Sequence, residues 1–186
     1  MNRAFARRAA VAVCLAAGIG LAPPVAGAQV IAAASAVPYC GIYWGSLDKS
    51  ADPNLGAGPV TSIRAGRHDC YDRLVFDING PAAAFTAGYV RAVYEDGSGD
   101  LVPLRGGAFL QIVVTADSYR SYLPKNQTDI VNVAGWQTFR QIAFAGNFES
   151  YYSIGLGVRA RLPFRVFTLD GPGGGSRVVV DVAHRW

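Results

Sequence analysis

Residues 66–78, GRHDCYDRLVFDI, place His68, Asp69, Cys70, Tyr71 and Asp72 between two arginines, Arg67 and Arg73. Such a set could ligate a metal, because imidazole, thiolate and carboxylate are the usual donors, or it could pair a base with a nucleophile. Either chemistry needs more groups than this stretch supplies. The other histidine, His184, is distant in the chain, and no GxSxG turn presents a serine to either imidazole. Of the two glutamates, Glu95 abuts a turn and Glu149 lies in GNFESYY, so neither neighbourhood suggests the paired carboxylates of glycoside cleavage. We therefore expect a non-enzymatic chain with no catalytic residue, no metal and no cofactor.

The start of the chain bears on the cysteines. MNRAFARR carries Arg3, Arg7 and Arg8 and no acid, and it runs into the apolar stretch of residues 9–22. This is the pattern of a secretory signal peptide, read here as residues 1–28, with a second small-residue cleavage point ending at Ala36. The competing reading is a retained anchor, but a membrane span needs about 20 strongly apolar residues and this run is shorter and Ala-rich. Cys14 follows VAV within the run, a poor context for lipidation. Removing the leader takes three of the seventeen basic residues and leaves fourteen against thirteen acids, a net charge of +1. The basic face that nucleic-acid binding requires is then not expected. Cys40 and Cys70 remain, an even pair in an exported chain, which predicts a disulfide and takes the Cys70 thiolate out of any metal or nucleophile role. The mature protein is expected to be secreted or in the cell envelope, without a membrane span.

What positions these residues is a run of strands. In RLVFDIN, Leu74, Phe76 and Ile78 alternate with Arg73, Val75 and Asp77, the two-residue period of a strand with one face in a core. The same period runs through 60–66, 88–95, 108–116, 138–145, 151–159, 164–169 and 177–184. EDGSGD and DGPGGGS supply hairpin turns; the latter lacks the Lys-Ser/Thr pair and helix of a phosphate loop. The prediction is an all-β, single-domain β-sandwich or small barrel of about eight strands over 60–186, preceded by a disulfide-tethered N-terminal arm and linker at 29–59. Leu74, Phe76, Ile78, Leu110, Ile112, Val114, Ile154, Leu156, Val178 and Val180 should point inward. Residues 117–137 form the longest interruption, expected to hold a helical turn or a mobile loop, and loops of this length are often functional.

Taken in order, the blocks GRHD…YDRLVFD, DGSG…VPL and GLGVR…FRVF resemble the AMIN-like domain of secreted bacterial envelope proteins over about residues 60–182. The resemblance implies that Arg67, His68, Asp69, Asp72 and Arg73 recur as a turn-and-strand signature. The chain departs from the pattern by inserting Cys70 into it, together with the extra arm YCGIYWGSL. A looser likeness to the AMIN domain proper implies a cell-wall polymer, peptidoglycan among them, as a partner. Candidate ligand contacts are Tyr43, Trp44, Trp136, Phe139, Tyr151 and Tyr152, with Arg140 and Arg159 for carboxylates. The arm and the 117–137 loop, which carry Trp44 and Trp136, are expected to form the binding surface. Two other roles fit a small secreted β-domain. One is a carrier enclosing an apolar ligand beside the glycines of IGLGVR; the other is an interaction domain for an envelope protein.

Overall fold

The computed structural model describes residues 38–53, 58–81 and 83–186. The predicted signal peptide 1–28, both cleavage points and Cys14 lie outside the described residues. The described chain forms strands β1 (Lys49–Ala51), β2 (Val60–Arg67), β3 (Tyr71–Ile78), β4 (Phe85–Val90), β5 (Val93–Tyr94), β6 (Leu101–Val102), β7 (Ala108–Thr115), β8 (Phe139–Phe148), β9 (Tyr151–Val158), β10 (Phe164–Asp170) and β11 (Ser176–Ala183). They make a five-stranded sheet β1-β4-β7-β9-β8, a four-stranded sheet β10-β11-β3-β2 and the small hairpin β5-β6. All pairings are antiparallel. The fold is a β-sandwich.

Alternation decides which residues fill it. The ten predicted core residues are all buried and belong to one apolar cluster drawn from both sheets. Phe76 of one sheet meets Tyr152 of the other edge-on at 6.5 Å, and Phe164 meets Tyr89 in the same way at 5.6 Å. The Tyr89 hydroxyl donates to the Leu162 carbonyl and accepts from the Leu162 amide, so it closes the backbone that leads into β10.

Three sequence expectations need correction. The run 88–95 is not one strand: the chain bends at Arg91–Ala92 and leaves the five-stranded sheet, and Val93–Tyr94 pairs with Leu101–Val102 instead. Where IGLGVR was read as leaving room for a ligand, the chain itself fills the space. A Cβ on Gly157 would lie 2.0 Å from the Arg105 carbonyl oxygen, and one on Gly155 would lie 2.9 Å from Leu104. Residues 117–137 hold no helix. They form a strap fixed to both sheets, with Tyr122 N–H on the Val60 carbonyl (2.7 Å), Ile130 N–H on Ile142 (2.9 Å) and Phe144 N–H on Gln127 (2.7 Å).

The arm is built into the sandwich more deeply than a tether. Cys40 is disulfide-bonded to Cys70 across 30 residues. Cys40 and Gly41 both take positive φ, closing a two-residue turn between Tyr39 and Ile42. Gly45 then bridges Phe164 at the edge of one sheet, and β1 pairs with β4 at the edge of the other, which covers both edges.

Phe76→Ala should lower the unfolding free energy by about 3–5 kcal/mol, because the ring is wholly buried between the sheets; denaturant titration checks this. Replacing Cys40 and Cys70 together by Ser should cost up to about 3–4 kcal/mol on the loop-entropy relation, and non-reducing mass analysis of the parent should find no free thiol among the two.

Candidate functional site

The signature stretch folds as a joint. Asp72 is fully buried, and its Oδ2 accepts from the amides of Thr138 (2.7 Å) and Phe139 (2.9 Å), where the strap enters β8. The Thr138 hydroxyl meets His184 Nδ1 at 2.9 Å, and His184 Nε2 meets the His68 carbonyl at 2.9 Å. A carbonyl only accepts, so Nε2 carries a hydrogen and donates it. Both nitrogens of His184 are thus used in the frame. The Cys70 carbonyl accepts from the His184 amide, and Cys70 itself is in the disulfide. His68 is exposed and stacks on Tyr71 at 4.5 Å, while Asp69 is exposed in the turn.

Beside the joint, the outer face of the four-stranded sheet carries two charge ladders. Strand register sets Arg73, Asp181 and Arg165 in one cross-strand row. Arg73 donates to Asp181 from Nε (2.6 Å) and Nη2 (2.9 Å), and Arg165 donates to it from Nε at 2.8 Å. Asp181 is completely covered by the pair. Asp77 lies in a second row with Ser62 and Arg177, and it accepts from Arg64, Arg177 and the Ser62 hydroxyl. Aromatic rings fix the first ladder from above. Arg165 lies 5.5 Å from the Trp44 ring centre, 5.6 Å from Tyr71 and 4.8 Å from Phe167. Trp44 is held there by its indole N–H on the Tyr39 carbonyl at 2.9 Å.

At one end of the five-stranded sheet, the β8–β9 turn and residues 115–119 enclose an open cleft of about 940 Å³. Glu149 (φ 46°) and Ser150 (φ 71°) form the turn in the left-handed region, where hairpins usually place Asn-Gly. The strap holds this turn. Ser150 N–H donates to the Ser118 hydroxyl (2.7 Å), Ala116 N–H to the Ser150 carbonyl (2.8 Å) and Asn147 to the Ser118 carbonyl (2.8 Å). Non-glycine residues in this region cost about 1–3 kcal/mol each and persist where their surroundings over-determine them. Tyr119 lines the cleft with its ring fully exposed, at 101 % relative accessibility, and Phe148 is half exposed beside it. Tyr151, the next residue after the turn, is also half exposed. Asp117, on the same wall, is held below its usual carboxylate range by the Arg120 guanidinium.

The family model for the AMIN-like domain matches residues 58–184. The chain belongs to the AMIN-like family. No curated protein and no solved structure matches it. Among the described residues of this AMIN-like domain, no helix is long and apolar enough to cross a membrane.

The predicted contact residues scatter over the domain. Tyr43 is exposed on the arm, and Trp44 is half-buried on the arginine ladder. Trp136 stacks on Phe139 at 6.0 Å and packs on the core under Arg67. Phe139 and Tyr152 are fully buried, so as ligand contacts they are corrected to core residues. Arg140 is spent on the carbonyls of Trp136 and Phe139, and Arg159 on that of His184. None of the eight lines the cleft; Tyr151 follows its turn in the chain but borders a separate groove beside Ala51, Phe85 and Val113. Tyr119, Phe148 and the two arginine ladders were not singled out from sequence, because ring exposure and cross-strand register follow only from the folded pairing.

Asp77 is held below its usual range of about 3.8, first by its hydrogen bond to Arg64, then by those to Ser62 and Arg177. Its folded value is depressed, so its contribution to stability is present above the unfolded value and is lost as pH falls through the folded one. Asp77→Asn should therefore destabilise at neutral pH, with the difference from the parent shrinking below about pH 4 and vanishing at lower pH; melting curves from pH 2 to 7 check the sign.

Proposed function

We propose that this AMIN-like domain is a non-catalytic, exported module of the cell envelope that binds a wall glycan in the cleft between residues 115–119 and the β8–β9 turn. The observation that carries the reading is the pair of exposed rings Tyr119 and Phe148 beside polar groups of Asp117, Ser118 and Asn147. Aromatic rings present broad, rigid apolar faces to the C–H faces of a sugar, while amide and carboxylate groups accept its hydroxyls. Membership of an envelope-associated family agrees with a wall ligand. A packed sandwich with a strapped turn supplies the rigidity that a stacking surface needs.

The setting of Asp117 beside the cleft supports binding without turnover. Glycoside cleavage needs one carboxyl that stays protonated near neutral pH. Asp117 is driven the other way by Arg120, and Glu149 is exposed at the tip of a turn.

The purified mature domain should co-sediment with isolated cell walls, and soluble wall fragments should compete. Tyr119→Ala with Phe148→Ala should weaken retention about tenfold or more, since stacking of an aromatic ring is worth about 0.5–1.5 kcal/mol beyond its area, while the far-ultraviolet β spectrum stays unchanged. Unaltered retention of that variant would remove the cleft from the proposal, absence of binding by the parent would remove the wall glycan, and steady release of soluble fragments would overturn the non-catalytic assignment.

A further inference from the structure

The two arginine ladders hold more cation than their own carboxylates consume. Four guanidiniums, Arg64, Arg73, Arg165 and Arg177, face two carboxylates, Asp77 and Asp181, so the outer face of β10-β11-β3-β2 carries an excess of two positive charges. The mature chain as a whole has a net charge of only +1, so this face is markedly more cationic than the rest. Arg73 and Asp77 lie on the same face of β3 four residues apart, which spaces the two ladders by about 13 Å along the strands. Such spacing suits a ligand with repeated charges. Between the ladders lie the buried Val75 and Val179, flanked by the Phe167 ring, a low floor that a chain can cross.

We propose that this face is a second binding site, for a phosphodiester-linked polymer of the envelope. The choice of ligand rests on charge. In Arg64, Arg73 and Arg165 the Nε–Nη2 edge already donates to Asp77 or Asp181, which leaves Nη1 outside these pairs. A phosphodiester chain carries one negative charge per repeat, complementary to a face with surplus guanidinium, and its unesterified oxygens accept from guanidinium N–H groups singly or in pairs. The arm takes part through the disulfide, because Cys40–Cys70 seats Trp44 against Arg165 and so fixes the direction of that guanidinium. The site does not rest on the glycan cleft, which belongs to the other sheet.

The test measures binding of the mature domain to three fluorescent chains: synthetic poly(glycerol phosphate), poly-L-glutamate and uncharged dextran. Poly(glycerol phosphate) should bind, with log K falling linearly against log salt by roughly 0.7 per phosphate engaged, as for other flexible polyphosphodiesters. Arg165→Gln with Arg177→Gln leaves each aspartate one arginine partner and brings the face to neutrality. It should weaken that binding at least tenfold and flatten the salt slope, with the melting temperature recorded alongside. No binding of poly(glycerol phosphate) at low salt, equal binding of poly-L-glutamate, or full affinity in a folded double variant would each overturn the proposal. The comparison of the three chains uses the unaltered protein and decides the phosphate assignment even if the variant fails to fold.

Discussion

One buried carboxylate sets the geometry from which both surfaces follow. Asp72, the second residue of β3, takes the amides of Thr138 and Phe139, so it fastens the four-stranded sheet to the point where β8 enters the five-stranded one. Two backbone amides are donors that cannot rotate away, and they hold Oδ2 in place while Oδ1 is buried without a hydrogen-bond partner. Thr138 in turn engages His184, and His184 engages His68, which draws the end of β11 and the β2–β3 turn into the same corner. Of the residues that look most like chemistry, Cys70, Asp72 and Arg73 are held in this corner, while the side chains of His68 and Asp69 stay exposed. Their density in GRHDCYDR reflects how many chain segments meet there.

The position of Cys70 in that corner explains why the arm ends up where it does. A crosslink to a rigid joint fixes its partner residue within a few ångströms, whereas one to a loose loop would fix little. From Cys40 the arm runs over Arg165, bridges Phe164 and reaches β4, so Trp44 lands on the ladder and not in solvent. The ladder itself is a balance of opposing terms. Asp181 is fully covered and would be destabilising alone, and two guanidiniums that remain partly solvated offset its desolvation. The excess charge on the face is a consequence of that burial: one carboxylate hidden beneath two arginines must leave a cation in surplus.

Much of this fold was legible because side-chain period and backbone pairing coincide in long strands. Leu74, Phe76 and Ile78 announce β3, and Leu110, Ile112 and Val114 announce β7, because alternate residues of each enter the core, although Val75 on the outer face of β3 is buried as well. Strands β1 and β6 have three and two residues, too few for a period to show. The break at Arg91–Ala92 was hidden because Val90 and Val93 continue an apolar rhythm across a bend. Tyr152 and Tyr151 are adjacent and chemically identical, yet one is buried and one half exposed. Alternation says that they differ; only the register says which points out. For that reason the ligand candidates chosen by residue type split between core, joint and surface.

The two surfaces differ in what holds them, and that difference bears on what each can recognise. The cleft depends on a left-handed Glu149–Ser150 turn kept in place by Ser118, a local strain that orients half-exposed and exposed rings without needing charge. Dispersion contacts of this kind are insensitive to salt and select by shape. The ladders depend on charges fixed by sheet register, whose reach in solution is a Debye length of about 8 Å at physiological salt and which select by charge spacing. On the two proposals, a single small domain would separate neutral and ionic recognition onto different sheets.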